Sequence, residues 1–83
     1  TICHPKSIVS PFAELGIGTV LLAGSIISPF SKLELGCILN TSATVDHESY
    51  LNEGVHVSAG AHLGGLVIVG AYTFFGLGSS TIS

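Results

Sequence analysis

The sequence predicts an all-β chain that winds into a three-sided parallel coil, and three regularities along its length indicate this fold. A large apolar residue recurs every six positions from Val9 to Phe75. The residue two positions before each of these is small or β-branched. Pro or Gly recurs in the two positions where each six-residue unit must turn. Similarity at a fixed short period is typical of solenoids, so we expect one stack of coils.

Each unit supplies one short strand and one tight turn. Residues two apart on a strand face the same side, so the large and the small residue of a unit both point into the coil. Pro11 and Pro29 preset one turn position, and glycines such as Gly24 supply a positive φ at the next. Three units close a coil, and residues 1–83 hold between four and five coils in a single domain. A small antiparallel β-sandwich is the alternative, but an unbroken period disfavours it.

Every third strand shares a face of the predicted prism, and one face is an apolar stripe. Its outward residues include Val20, Ile38, His56 and Phe74. An exposed apolar stripe of this kind indicates a subunit interface. Two different faces that meet head to tail close a ring, and a triangular prism favours threefold closure. The sequence therefore predicts a homotrimer.

Composition excludes two classes of partner and indicates a compartment. Only 8% of residues are charged, and Lys6 and Lys32 are the only fixed cations, so we expect no nucleic-acid partner. The apolar runs are short, as in residues 66–69, and none approaches the ~20 residues of a membrane-spanning helix. Cys3 and Cys37 both occupy inward positions, which predicts buried free thiols in the reducing cytoplasm.

Asp46, His47 and Glu48 form the densest cluster of ionisable residues in the chain. The repeat places His47 first in a turn, so its side chain projects from a corner of the prism and away from the core. A neighbouring carboxylate orients an imidazole and stabilises its protonated form, which suits a general base. The cluster predicts a catalytic corner, and a solvated surface histidine is the alternative.

Two segments on either side of this corner carry a family resemblance. Residues 38–48, ILNTSATVDHE, and residues 54–63, GVHVSAGAHL, closely resemble the hexapeptide-repeat sugar acetyltransferases. The greatest similarity is to the sialic-acid O-acetyltransferases and the UDP-amino-sugar N-acetyltransferases of the bacillosamine and perosamine pathways. The resemblance implies a left-handed parallel β-helix, acetyl-CoA as co-substrate, a homotrimer with active sites between subunits, and a sugar or UDP-amino-sugar acceptor.

The same resemblance implies roles for five residues. His47 matches the catalytic base, and Glu48 matches the acidic residue that follows it. Asn40 and His56 match polar residues near the acetyl group and the acceptor, so His56 is expected to contact both substrates. Gly65 matches a glycine whose backbone N–H faces the thioester oxygen, where negative charge develops. The implied chemistry requires no metal.

The chain also departs from the family that it resembles. The family usually has two glycines where this chain has Gly65-Leu66, and its members add an N-terminal sugar-nucleotide-binding domain and further C-terminal coils. We therefore expect a fragment that is a weak or inactive enzyme alone. The sequence does not distinguish N-acetylation from O-acetylation. Two alternatives remain. One is a zinc β-helix like the gamma-class carbonic anhydrases, although the histidine spacing of that family differs from that of His47, His56 and His62. The other is a purely structural β-helix for assembly.

Overall fold

The computed structural model describes residues 1–81, which form a three-sided parallel β-helix. Thirteen strands of two residues each occur in these coils. Residues 1–81 contain no helix, so none is long and apolar enough to cross a membrane. Residues 82 and 83 of the predicted domain lie outside the described part of the chain.

The strands form three parallel sheets, here named A, B and C. Sheet A contains β1 (Ile2–Cys3), β4 (Val20–Leu21), β7 (Ile38–Leu39), β10 (His56–Val57) and β13 (Phe74–Phe75). Sheet B contains β2 (Ile8–Val9), β5 (Ile26–Ile27), β8 (Thr44–Val45) and β11 (His62–Leu63). Sheet C contains β3 (Glu14–Leu15), β6 (Lys32–Leu33), β9 (Tyr50–Leu51) and β12 (Ile68–Val69).

The register confirms that one coil is three hexapeptide units long. Leu21 pairs with Leu39, and Leu39 pairs in turn with Val57, so equivalent residues lie directly above one another. Backbone hydrogen bonds join each coil to the next, as from the N–H of Asn40 to the carbonyl of Val57 at 2.8 Å. Any two residues eighteen positions apart therefore occupy the same column on adjacent coils.

The core consists of the predicted large and small positions of the repeat. Leu21, Leu39 and Leu51 are fully buried, and small residues such as Ala43 and Ala61 pack beside them. Cys37 lies in this core, and burial raises the pKa of its thiol. The prediction that both thiols are buried is wrong for Cys3, which is exposed on the first strand of residues 1–81.

The turns confirm the predicted role of glycine and add a feature that the sequence did not reveal. A positive φ occurs at all six glycines in the third position after the large residue: Gly18, Gly24, Gly36, Gly54, Gly60 and Gly78. Five residues with side chains adopt it as well. Three of these, Phe30, Glu48 and Leu66, stack at the single corner that joins sheet B to sheet C. Strain of this kind is uncommon for such residues.

The outer faces of sheets A and C differ in polarity. On sheet C, Lys32 Nζ lies 3.7 Å from Glu14 and 3.9 Å from Glu34, and Tyr50 donates a hydrogen bond to Glu34. On sheet A, the apolar side chains of Ile2 and Phe74 are 67% and 64% exposed. Sheet C therefore carries the charged cluster, although Ile68 on its last strand is 78% exposed, and sheet A carries the apolar stripe that the sequence predicted.

Candidate active site

His47 and Glu48 form the turn that leads from β8 in sheet B to β9 in sheet C. The coils on either side fix the backbone of this turn. Glu48 N–H donates to the carbonyl of Pro29 at 3.1 Å, and the carbonyl of His47 accepts from Leu66 N–H at 3.0 Å. His47 is therefore a corner residue whose side chain projects from a rigid ladder, as predicted.

Glu48 is placed to orient the imidazole of His47. Glu48 Oε1 lies 3.5 Å from His47 Nδ1, and the two side chains are 57% and 54% exposed. At this exposure the pair contributes little to folding stability. Its effect is on orientation, because a carboxylate beside Nδ1 favours a proton on that nitrogen and leaves the lone pair of Nε2 free.

The imidazole of His47 lies against the bare Cα of Gly65, one coil above. A Cβ built on Gly65 would lie 2.8 Å from His47 Nε2 and 2.9 Å from Cε1, closer than side-chain carbons approach such atoms. Only glycine leaves this space empty. The backbone N–H of Gly65 donates no hydrogen bond to any group within residues 1–81. Gly65 thus combines a bare Cα against the imidazole with a backbone N–H that has no acceptor in this part of the chain.

Two buried serines lie under this corner, and the sequence reasoning missed them. Ser31 and Ser49 are each 1% exposed. Ser31 Oγ donates to the carbonyl of Asp46 at 2.8 Å, and Ser49 Oγ donates to the carbonyl of Gly64 at 2.9 Å. These carbonyls belong to the peptide groups that precede His47 and Gly65. The available signal was a polar residue at two successive inward positions of one face.

Asn40 and His56 belong to sheet A, on the side of the prism opposite the His47 corner. The side-chain Oδ1 of Asn40 accepts from Thr41 N–H at 2.7 Å. The ring of His56 packs edge-on against Phe74, with ring centroids 5.1 Å apart. The Nε2 of His56 is buried and has no hydrogen-bond partner within residues 1–81. One chain brings His47, Glu48 and Gly65 together and leaves Asn40 and His56 apart from them.

The other histidines take part in local contacts. His4 Nδ1 accepts from the N–H of Lys6 at 3.0 Å, and His62 Nδ1 lies 2.8 Å from Thr44 Oγ1. Across residues 1–81, no three side chains of His, Cys, Asp or Glu come together in a way that would hold a metal ion.

Comparisons with known proteins agree with this architecture. No protein-family profile matches the chain. No curated protein matches it significantly. Two solved structures match: the acetyltransferase domain of PglB from Neisseria gonorrhoeae FA1090, and the same domain in complex with acetyl coenzyme A. Each is 42% identical to this chain and superposes with a TM-score of 0.93.

The match covers 94% of this chain and 38% of the PglB chain. This chain thus spans well under half the length of the solved neighbours. The all-β, parallel, coiled architecture of residues 1–81 is that of a left-handed β-helix acetyltransferase domain. The resemblance seen in residues 38–48 and 54–63 is therefore confirmed as a similarity, in sequence and in fold, to an acetyltransferase domain.

Proposed function

We propose that this chain is the β-helix part of an acetyl-CoA-dependent enzyme that acetylates an amine or a hydroxyl of a sugar. The observation that carries the proposal is the His47 corner, where Glu48 faces Nδ1 and the bare Gly65 lies against Nε2. The similarity to the PglB acetyltransferase domain, which has been solved with acetyl coenzyme A, supports the choice of acyl donor.

In this proposal His47 is the general base. Its Nε2 removes a proton from the acceptor amine or hydroxyl as the acceptor attacks the acetyl carbonyl carbon. The C–S bond of the thioester then breaks, and the protonated imidazole returns the proton to the departing sulfur. Glu48 holds Nδ1 and stabilises the imidazolium between these two steps. General base catalysis of this type typically contributes ~10²–10⁴ in rate.

Gly65 supplies the second catalytic group, its backbone N–H. During attack, negative charge develops on the carbonyl oxygen of the thioester, and a fixed N–H donor lowers the energy of that state. The Gly65 N–H has no acceptor within residues 1–81, and the Cα of the same residue lies against the His47 imidazole. A thioester bound here would meet the base on one side and the donor on the other.

The remaining substrate contacts come from a second copy of the chain. Asn40 and His56 lie on sheet A, across a prism whose shorter dimensions are 21 and 20 Å, so they do not reach His47 of their own chain. Sheet A also carries exposed apolar residues, among them Phe74 at 64%. We propose a homotrimer in which sheet A of one subunit faces the His47 corner of the next. The Nε2 of His56, which is buried without a hydrogen-bond partner in residues 1–81, supports the proposal that a second subunit completes its surroundings.

The acceptor is a sugar or a UDP-amino sugar, by extension from the sequence resemblance. Lys6 and Lys32 are the only fixed cations in the sequence, so the charge needed to hold nucleotide phosphates comes from outside these 83 residues. We therefore propose that the isolated chain is weak or inactive and that a sugar-nucleotide-binding domain and further coils complete the enzyme. The buried thiol of Cys37 supports a reducing, cytoplasmic location.

The central test measures thiol release from acetyl-CoA by the native protein, with UDP-4-amino sugars and sialic acid as alternative acceptors. His47→Ala should lower kcat by ~10²–10⁴ if His47 is the base. His4→Ala is the matched control, because His4 contacts only its own turn and should leave the rate unchanged. Near wild-type turnover by His47→Ala would remove the proposed mechanism.

The assembly is tested separately by measuring the molar mass of the native protein in solution. A trimer should form, and Phe74→Glu should break it by placing a charge on the apolar stripe of sheet A. Glu14→Lys on sheet C is the control and should leave the mass unchanged. A monomer at micromolar concentration would contradict the shared site.

A further inference from the structure

Seven turns within residues 1–81 are closed by their own backbone, whereas six, among them both turns of the candidate site, lack this bond. The carbonyl of Asn40 accepts from Ala43 N–H at 3.0 Å, and the carbonyl of Ser58 accepts from Ala61 N–H at 3.1 Å. The turn from Leu22 to Ser25 closes in the same way at 3.2 Å. In each case the bond joins the first and fourth residues, which is the ordinary hydrogen bond of a β-turn.

The two turns of the candidate site are bridged by a serine hydroxyl instead. Ser49 Oγ donates to the carbonyl of Gly64 at 2.9 Å and accepts from Val67 N–H at 3.3 Å. It thus stands between the first and fourth residues of the turn that contains Gly65. Ser31 Oγ does the same one coil below, because it donates to the carbonyl of Asp46 at 2.8 Å and accepts from Ser49 N–H at 3.4 Å.

The bridge holds the peptide group that carries the following N–H. A trans peptide is planar, and its C=O and N–H lie on opposite edges. Because the buried hydroxyl of Ser49 draws the Gly64 carbonyl inward, the Gly65 N–H is directed outward. The equivalent N–H, that of His47, also points outward, since it donates a hydrogen bond at 2.8 Å to the side chain of Asp46, which is exposed.

The bridge also fixes the separation between the two catalytic groups. The imidazole of His47 lies against the Gly65 Cα, so any shift of the turn from Gly64 to Val67 moves the surface on which the ring rests. If the hydroxyl of Ser49 were absent, the Gly64 carbonyl and the Val67 N–H would lose the group that links them. The turn would then shift, and Gly65 would shift with it.

We infer that Ser31 and Ser49 are positioning residues of this site: their hydroxyls link the first and fourth residues of the two turns that carry His47 and Gly65. The inference rests on the proposed function for its catalytic consequence, but the position of the turn is a property of the chain itself. A buried hydroxyl that replaces the turn hydrogen bond directs the Gly65 N–H toward the site and sets its distance from the imidazole.

The test compares Ser49→Ala with Ser49→Thr and Ser25→Ala in the native protein. Ser49→Thr retains the hydroxyl, and the β-branched Val67 occupies the equivalent inward position one coil above. Ser25→Ala removes an equally buried hydroxyl, which donates to Leu22 at 2.8 Å, from a turn that its backbone already closes. The two readouts are kcat for acetyl transfer and the amide resonance of Gly65 by NMR.

Ser49→Ala should shift the Gly65 amide resonance and the Cε1–H resonance of His47. It should also lower kcat by about 10²-fold, since misplacement of a catalytic group by 1 Å typically lowers the rate by this factor. The KM for the acceptor should change little. Ser49→Thr should restore both. Ser25→Ala should leave both at their wild-type values. Equal shifts in Ser49→Ala and Ser25→Ala, or unchanged resonances in Ser49→Ala, would overturn the inference.

The two proposals fail in different ways. If the native protein transfers no acetyl group, the proposed function is wrong, while the Gly65 and His47 resonances still decide whether Ser49 holds the turn. If transfer occurs and Ser49→Ala is as active as wild type, the function stands and the positioning role is rejected.

Discussion

Substitution of Gly65 by alanine is the most direct perturbation of the His47 corner. The new Cβ would lie 2.8 Å from Nε2, whereas ordinary contacts begin at 3.4 Å, so the imidazole must retreat by about 0.6 Å or more. The ring is the end of an exposed side chain and moves more readily than backbone. The fold should therefore survive while the base is displaced. Displacement on the order of 1 Å lowers a rate about 10²-fold, which corresponds to roughly 2.7 kcal/mol of barrier.

Alanine keeps the backbone N–H of Gly65, so the variant isolates the added methyl group. The assay is thiol release from acetyl-CoA, with urea unfolding measured on the same preparation. Gly70→Ala is the matched control, because its Cβ would meet nothing closer than Thr73 Oγ1 at 3.9 Å. We expect similar unfolding midpoints for both variants and a loss of kcat only in Gly65→Ala. Wild-type kcat in Gly65→Ala would show that contact with Gly65 does not position His47.

Three further predictions concern the stack itself. Gly16→Ala places a Cβ 2.5 Å from the backbone carbon of Glu34 and should lower the free energy of unfolding by about 1–3 kcal/mol; an unchanged urea midpoint would contradict this close packing. Leu39→Ala empties a fully buried position and should lower the same quantity by about 2–5 kcal/mol, and a smaller loss would indicate that the coils collapse onto the gap. Cys3 should react quickly with a thiol reagent at pH 8, because its side chain is exposed. Cys37 should react only after unfolding, because it is buried and burial raises the pKa of its thiol. Fast reaction of both thiols in the folded protein would refute this difference.

Periodicity alone determined most of the fold. The inward series through Leu21 and Leu39 specified the core, and the spacing of Gly24 and Gly60 specified the turns, because each is a local consequence of a six-residue unit. The residue types of Phe30, Glu48 and Leu66 do not favour a positive φ, but each occupies the same third turn position as the glycines. Their conformation therefore follows from their place in the repeat and not from their side chains.

The candidate site was predictable to the extent that it is local. His47 and Glu48 are adjacent in sequence, and eighteen-residue stacking placed Gly65 above them. The contact between the imidazole and the Gly65 Cα depends on side-chain orientation, which the repeat does not encode. For Ser49 the repeat predicts only a small inward residue, because the carbonyl that its hydroxyl contacts lies fifteen residues away.

Stacking in register also limits how this chain can change in length. An insertion of six residues between His47 and Gly65 would preserve every hexapeptide unit and the whole core. It would nevertheless carry Gly65 to a different corner, because a coil contains three such units. A single-residue deletion would turn the following large residues away from the core until the register recovered at a turn. Only gains or losses of eighteen residues keep the glycine above the imidazole, so whole coils are the unit in which this segment can lengthen or shorten without losing its site.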